Sequence, residues 1–134
     1  CIRDRSMPTV IEDISLDNFK SLLDNNKPDK IIILRFTADW CGPCKGIDSI
    51  CEEYFSKCSD NIQPVVVDVD ETMDLYMIFK RYRRLNGIPA LFAFYGNNMQ
   101  NPWYISNESV NTGDKQQVMN FFNRCTMHIN NLKK

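Results

Sequence analysis

The sequence is 134 residues long, 43% apolar and 25% charged, with a net charge of −1 at neutral pH. That length suits one domain with a core large enough to need no staples, and the composition is ordinary for a soluble globular chain. The small net charge gives no reason to expect nucleic acid or an anionic membrane as partner, and no apolar stretch approaches the roughly 20 residues that cross a bilayer.

Residues 1–8 lack periodicity and read as a loose N-terminal arm. The absence of Met at position 1 points to processing, an excised segment or a cloning remnant, and no secretory signal opens the sequence. Residues 9–130 read as the folded domain and 131–134 as a tail. Thr9 to Ile14 alternates weakly, as an edge strand does. Ser15 is placed to N-cap a helix carrying Leu16, Phe19, Leu22 and Leu23 at helical spacing, and Asn25 to Asp29 has the loop chemistry that ends it. The run Ile31-Ile32-Ile33-Leu34-Arg35-Phe36 is β-branched, unbroken by Gly or Pro, and reads as a buried central strand.

Trp40-Cys41-Gly42-Pro43-Cys44 closes that strand and opens a helix expected from Cys44 to Lys57, with Ile47, Ile50, Cys51, Tyr54 and Phe55 inward. Cysteines two residues apart on a first helical turn are close enough to form a small disulfide. The first sits beside the free N–H groups and positive end of the helix, which favours thiolate over thiol and lowers its pKa. Gly42 permits the tight turn, and Pro43 suits a helix start. A zinc site would need a second pair of ligands, yet His128 is the single histidine and Cys51 and Cys58 share one helix. A purely structural disulfide closing so short a loop would add little stability. Thiol–disulfide exchange is the better reading, with no metal and no cofactor.

Pro64 to Val69 reads as a second buried strand, so the helix between makes a βαβ unit. Met73 to Arg84 is a further helix with Leu75, Ile78, Phe79 and Tyr82 at core spacing. Its basic end reads as a solvated face, or else as a patch that steers acidic clients. Ala90 to Tyr95 is a strand closed by the turn Gly96-Asn97-Asn98. From Met99 to Gly113 the pattern blurs, with Trp103-Tyr104-Ile105 and Ser109-Val110 as candidate strand pieces. Asp114 caps a last helix striped by Val118, Phe121, Phe122, Cys125 and Ile129, where Cys125 reads as a small core hydrophobe. Asn107-Glu108-Ser109 matches a glycosylation acceptor but, without a secretory signal, reads as a chance match. Cys1, Cys51, Cys58 and Cys125 have no paired spacing. Free thiols beside a reactive pair suggest a reducing, cytoplasmic compartment.

The segment Phe36-Thr37-Ala38-Asp39-Trp40-Cys41-Gly42-Pro43-Cys44-Lys45 resembles the active-site segment of the thioredoxin family, and Gly87-Ile88-Pro89-Ala90-Leu91-Phe92 is similar to its cis-proline loop. The resemblance covers Val10 to about Ile129. It implies an α/β, thioredoxin-like fold: a central mixed sheet of four to five strands flanked by about four helices, as a monomer. It also implies a protein-disulfide reductase in which Cys41 attacks a client disulfide and Cys44 resolves the mixed disulfide. A thioredoxin reductase or a small thiol would then restore the dithiol. Ile88 would offer backbone groups to an extended client, with Pro89 cis and Trp40, Gly42 and Pro43 completing the rim. A non-catalytic binding module and a more oxidising, isomerase-like variant are the alternatives.

Arg35 departs from the pattern. It stands where the family carries a buried Asp, and the family's partnering Lys falls at about Val66. An Arg cannot accept a proton, but its charge stabilises a thiolate and predicts a less reducing couple. Buried, it needs a partner, for which Asp68 and Asp39 are the candidates. Gly46 inside the helix and Ser49 in place of a kinking Pro are further departures.

Overall fold

The computed structural model describes residues 10–57, 61–82, 87–96 and 106–132. In chain order these form β1 (Ile11–Glu12), α1 (Leu16–Asp24), β2 (Ile31–Thr37), α2 (Gly42–Gly46), α3 (Asp48–Lys57), β3 (Ile62–Asp68), α4 (Met73–Arg81), β4 (Ala90–Tyr95), β5 (Glu108–Val110) and α5 (Lys115–Leu132). The strands make one mixed sheet in the order β1-β3-β2-β4-β5, with β2 at its centre. Strand β3 runs parallel to β2 and to β1, whereas β4 runs antiparallel to β2 and to β5.

Successive side chains of a strand point to opposite faces, so β2 feeds two cores at once. Ile32, Leu34 and Phe36 pack with Phe19 of α1, Leu75 and Phe79 of α4, and Phe92 and Phe94 of β4. The Phe36 ring meets Tyr76, Phe79 and Phe92 edge-on, with centroids 5.4–6.1 Å apart. Ile31 and Ile33 pack on the other face with Ile47, Cys51 and Phe55, and with Phe121, Phe122, Cys125 and Ile129 of α5. Every residue of β2 before Thr37 is buried, which is why its sequence shows no alternation.

Local signals fix the starts of α1 and α5. The Ser15 hydroxyl accepts from the Asn18 N–H at 3.2 Å, and the Asp114 carboxylate accepts from the Gln117 N–H at 3.2 Å, so both expected caps form. Two expectations need correction. The helix foreseen as continuous from Cys44 to Lys57 is two helices, separated at Ile47, directly after Gly46. Glycine is the least helix-favouring residue short of proline, and the break falls beside it. Helix α4 ends at Arg81, so Tyr82 is its C-cap and is 44% exposed rather than part of the core. Asn107 is committed to the sheet: its side-chain oxygen accepts from the Tyr95 N–H at 2.9 Å and its own N–H donates to the Ala93 carbonyl. The expected strand piece Trp103–Ile105, as well as Cys1, Cys58 and the basic pair Arg83 and Arg84, lies outside the described residues.

Candidate active site

Strand β2 ends at Thr37, and the chain turns through Trp40 into α2, which places Cys41 as the N-cap of that helix. Cys41 and Cys44 form a disulfide with Cα atoms 5.2 Å apart. The Cys44 N–H donates to the Cys41 sulfur at 3.1 Å. Cys41 is 4% exposed, and Cys44, one turn deeper, is fully buried. Because α2 has only the five residues Gly42–Gly46, its dipole is weak, and the field at Cys41 comes chiefly from the N–H groups of this first turn.

The loop before β4 closes the other side. The Ile88–Pro89 bond is cis, as the resemblance implies, and the Ile88 carbonyl lies 3.8 Å from the Cys41 sulfur. In the disulfide that sulfur has no proton, so this is a contact; once reduced, the thiol can donate there. A carbonyl oxygen favours the thiol and an N–H favours the thiolate. The N–H is nearer by 0.7 Å, the difference between 3.8 and 3.1 Å, and it is the contact of the two that would stabilise a negative sulfur.

Trp40 is 67% exposed at the rim, and its indole N–H donates to the Asp70 carboxylate at 2.7 Å. Gly42 and Pro43 are exposed beside it, and Pro89 is buried behind.

Arg35 is 4% exposed and lies on the α3 side of β2, opposite Val66 in register. One terminal nitrogen of its guanidinium donates to the Cys44 carbonyl at 3.1 Å and also forms an ion pair with Asp48. The expected partners, Asp68 and Asp39, are not used. The Asp68 carboxylate accepts the Asp70 N–H at 2.8 Å in the turn after β3, and Asp39 is exposed past the end of β2. Asp48 is the first residue of α3, directly after the break at Ile47, and from there its carboxylate reaches the Arg35 guanidinium.

Sequence reasoning missed several neighbours. The Asn111 amide donates to the Gly87 carbonyl at 3.0 Å and the Pro89 carbonyl at 2.9 Å, bracketing Ile88 between two fixed points. Gly113 abuts Pro43. Asp70 and Asp48 hold Trp40 and Arg35. Nothing in local sequence marks these residues, since each acts across the sheet or between elements distant in the chain.

The disulfide at the strand-to-helix turn and the cis-proline loop that leads into β4 both lie within residues 10–124, which match the family model Thioredoxin. The chain belongs to the thioredoxin family. It is 35% identical over 85 residues to Thioredoxin H8 of Arabidopsis thaliana, covering 63% of this chain and 54% of that one. It is 30% identical over 94 residues to the thioredoxin of Acidithiobacillus ferridurans, covering 70% and 82%. Its fold also matches a chain in the crystal structure of a complex of ferredoxin:thioredoxin reductase with thioredoxin f2. There the TM-score is 0.68 at 18% identity, covering 90% of this chain and 98% of that one. The matched stretch spans only about half the length of several curated relatives. Within this thioredoxin-family chain the remaining described cysteines, Cys51 and Cys125, are free and buried, and burial pushes their thiols up to about 11 and about 12.

Proposed function

We propose that the chain is a thiol–disulfide oxidoreductase that reduces protein disulfides, with Cys41 as nucleophile and Cys44 as resolving cysteine. The observation that carries this reading is the Cys41–Cys44 disulfide whose outer sulfur accepts the Cys44 N–H at 3.1 Å. In the reduced state the Cys41 thiolate attacks one sulfur of a client disulfide. A new S–S bond forms to the client, the client bond breaks, and the departing client thiolate takes up a proton. Cys44 then gives up its proton and attacks the Cys41 sulfur. The client's second thiolate leaves, and the two electrons have passed to the client as the Cys41–Cys44 bond forms.

The neighbours have distinct roles in this scheme. The backbone at Ile88, flanked by the two carbonyls that Asn111 holds, pairs with an extended client segment beside the reacting sulfur. Trp40 and Pro43 form the apolar rim against which the client rests, and Arg35 tunes the couple from behind. The disulfide formed in each cycle requires a reductant, a thioredoxin reductase or a small thiol. A reductase is favoured by the fold match to a chain in a reductase–thioredoxin complex. A reducing, cytoplasmic setting agrees with the free thiols of Cys51 and Cys125.

The test is reduction of insulin with dithiothreitol as the electron source. Wild type turns over and Cys41→Ser does not, whereas Cys44→Ser accumulates a mixed disulfide visible by mass spectrometry. A wild-type protein that accelerates nothing is a binding module instead.

A further inference from the structure

We infer that Asp48 is a positioning residue for the redox couple: its carboxylate holds and offsets the Arg35 guanidinium behind Cys44, and so sets how strongly the dithiol form is favoured. This deepens the proposed exchange at Cys41 and Cys44 and rests on it.

The geometry is specific. A cation that is 4% exposed is costly to bury, and its Nε has no hydrogen-bond partner. The hydrogen bonds described for it come from one terminal nitrogen, shared between the Cys44 carbonyl and Asp48. Covalent geometry therefore keeps the Cys44 sulfur within roughly 8 Å of that nitrogen. Asp48 is the first residue of α3, four positions after Cys44 and just past the break, so the pair also ties α3 to the end of α2. The buried Cys51 thiol, on the next turn of α3, feels both charges: Arg35 pulls it down while Asp48 and Glu52 push it up. Glu12 and Glu52 complete the charged surroundings, lining with Arg35 a cavity of about 380 Å³ that neighbours the pair. Of these acids only Asp48 is bonded to the guanidinium among the described contacts.

The consequence has a sign. The oxidised pair shares an S–S bond and carries no charge. Two electrons and two protons give the dithiol, from which a proton can leave to make a thiolate. A nearby cation stabilises that thiolate and with it the reduced form, as in strongly oxidising members of this chemistry. The Asp48 carboxylate cancels part of that effect. Removing the carboxylate leaves the cation unopposed, and removing the cation leaves the carboxylate.

The experiment is equilibration of the protein with glutathione buffers, the fraction reduced being read by alkylation and mass. Asp48→Asn is expected to shift the equilibrium about threefold or more toward the dithiol. Arg35→Met shifts it toward the disulfide, and Asp48→Glu stays near wild type. If Arg35→Met does not fold, the contrast between Asp48→Asn and Asp48→Glu decides. An Asp48→Asn variant that melts at a lower temperature with an unmoved equilibrium shows a merely structural acid at a helix start and overturns the inference. A shift of Asp48→Asn toward the disulfide overturns it as well. Wild type that does not equilibrate with glutathione at all contradicts the underlying exchange reading, whatever Asp48 does.

Discussion

Gly113 lies so close to Pro43 that a β-carbon built on it stands 2.9 Å from the proline Cβ and 3.4 Å from its carbonyl oxygen. The last loop before α5 thus supports the active-site turn from the side. A rigid ring and a backbone carbonyl cannot swing away, so Gly113→Ala must move the turn. Overpacking of this kind costs about 1–3 kcal/mol. The expected outcome is a lower melting temperature together with a several-fold rise in KM for a protein disulfide, read by insulin reduction. An unchanged KM means that Pro43 does not contact the client.

Asn111 tests the loop that faces Cys41. Asn111→Ala removes two hydrogen bonds, to the Gly87 and Pro89 carbonyls. The side chain is largely exposed, so each bond is worth the lower part of the usual range, and the total loss in denaturant unfolding is about 1 kcal/mol. Gly87, at φ +152°, is in a conformation few other residues adopt, and without Asn111 nothing else described holds its carbonyl. The variant should lose rate on extended protein substrates and retain it on a small disulfide. Equal losses on both would place the effect at the sulfurs instead.

Cys51 and Cys125 are predicted to be silent. With thiols pushed up to about 11 and about 12 by burial, neither presents a thiolate at pH 8. Peptide mapping after brief alkylation of the reduced native protein should label Cys41 first and leave both buried cysteines untouched until denaturant is added. Native labelling of Cys51 at a comparable rate would mean that α3 opens readily.

His128 supplies a pH dependence. Its ring stacks on Tyr95 at 3.7 Å, and burial lowers its pKa below the ordinary 6.5. An unfolded chain takes up the proton near pH 6.5 while the folded one does not until lower pH, so the unfolded state binds more protons in that window. Stability is therefore full above about pH 6.5 and declines as the pH falls below it. Melting temperatures at pH 7.5 and 5.8 should differ more for wild type than for His128→Phe.

The sequence made the scaffold legible wherever one residue type repeats against one face. The buried run of β2, the stripe of α5 and the caps Ser15 and Asp114 are local signals with local outcomes. Cys41, Cys44, Ile88 and Pro89 stand in contiguous motifs, which a reading along the chain shows directly. Tyr82 was misread because periodicity continues past the residue at which the backbone leaves the helix. Gly46 was visible as a weak point, but the break at Ile47 depends on what α3 packs against. The partner of Arg35 was hidden for the same reason: Asp48 reaches it only once that break turns the new helix over β2. Asn111 and Gly113 act through backbone atoms of distant segments, which no spacing rule records.

The central claim is that Cys41 carries a negative sulfur at neutral pH, stabilised by the first turn of α2. The rate of Cys41 alkylation as a function of pH, followed by peptide mapping on the reduced protein, measures this directly. The account predicts a midpoint clearly below the value of about 8.5 for a free cysteine. A midpoint at or above that value would contradict it.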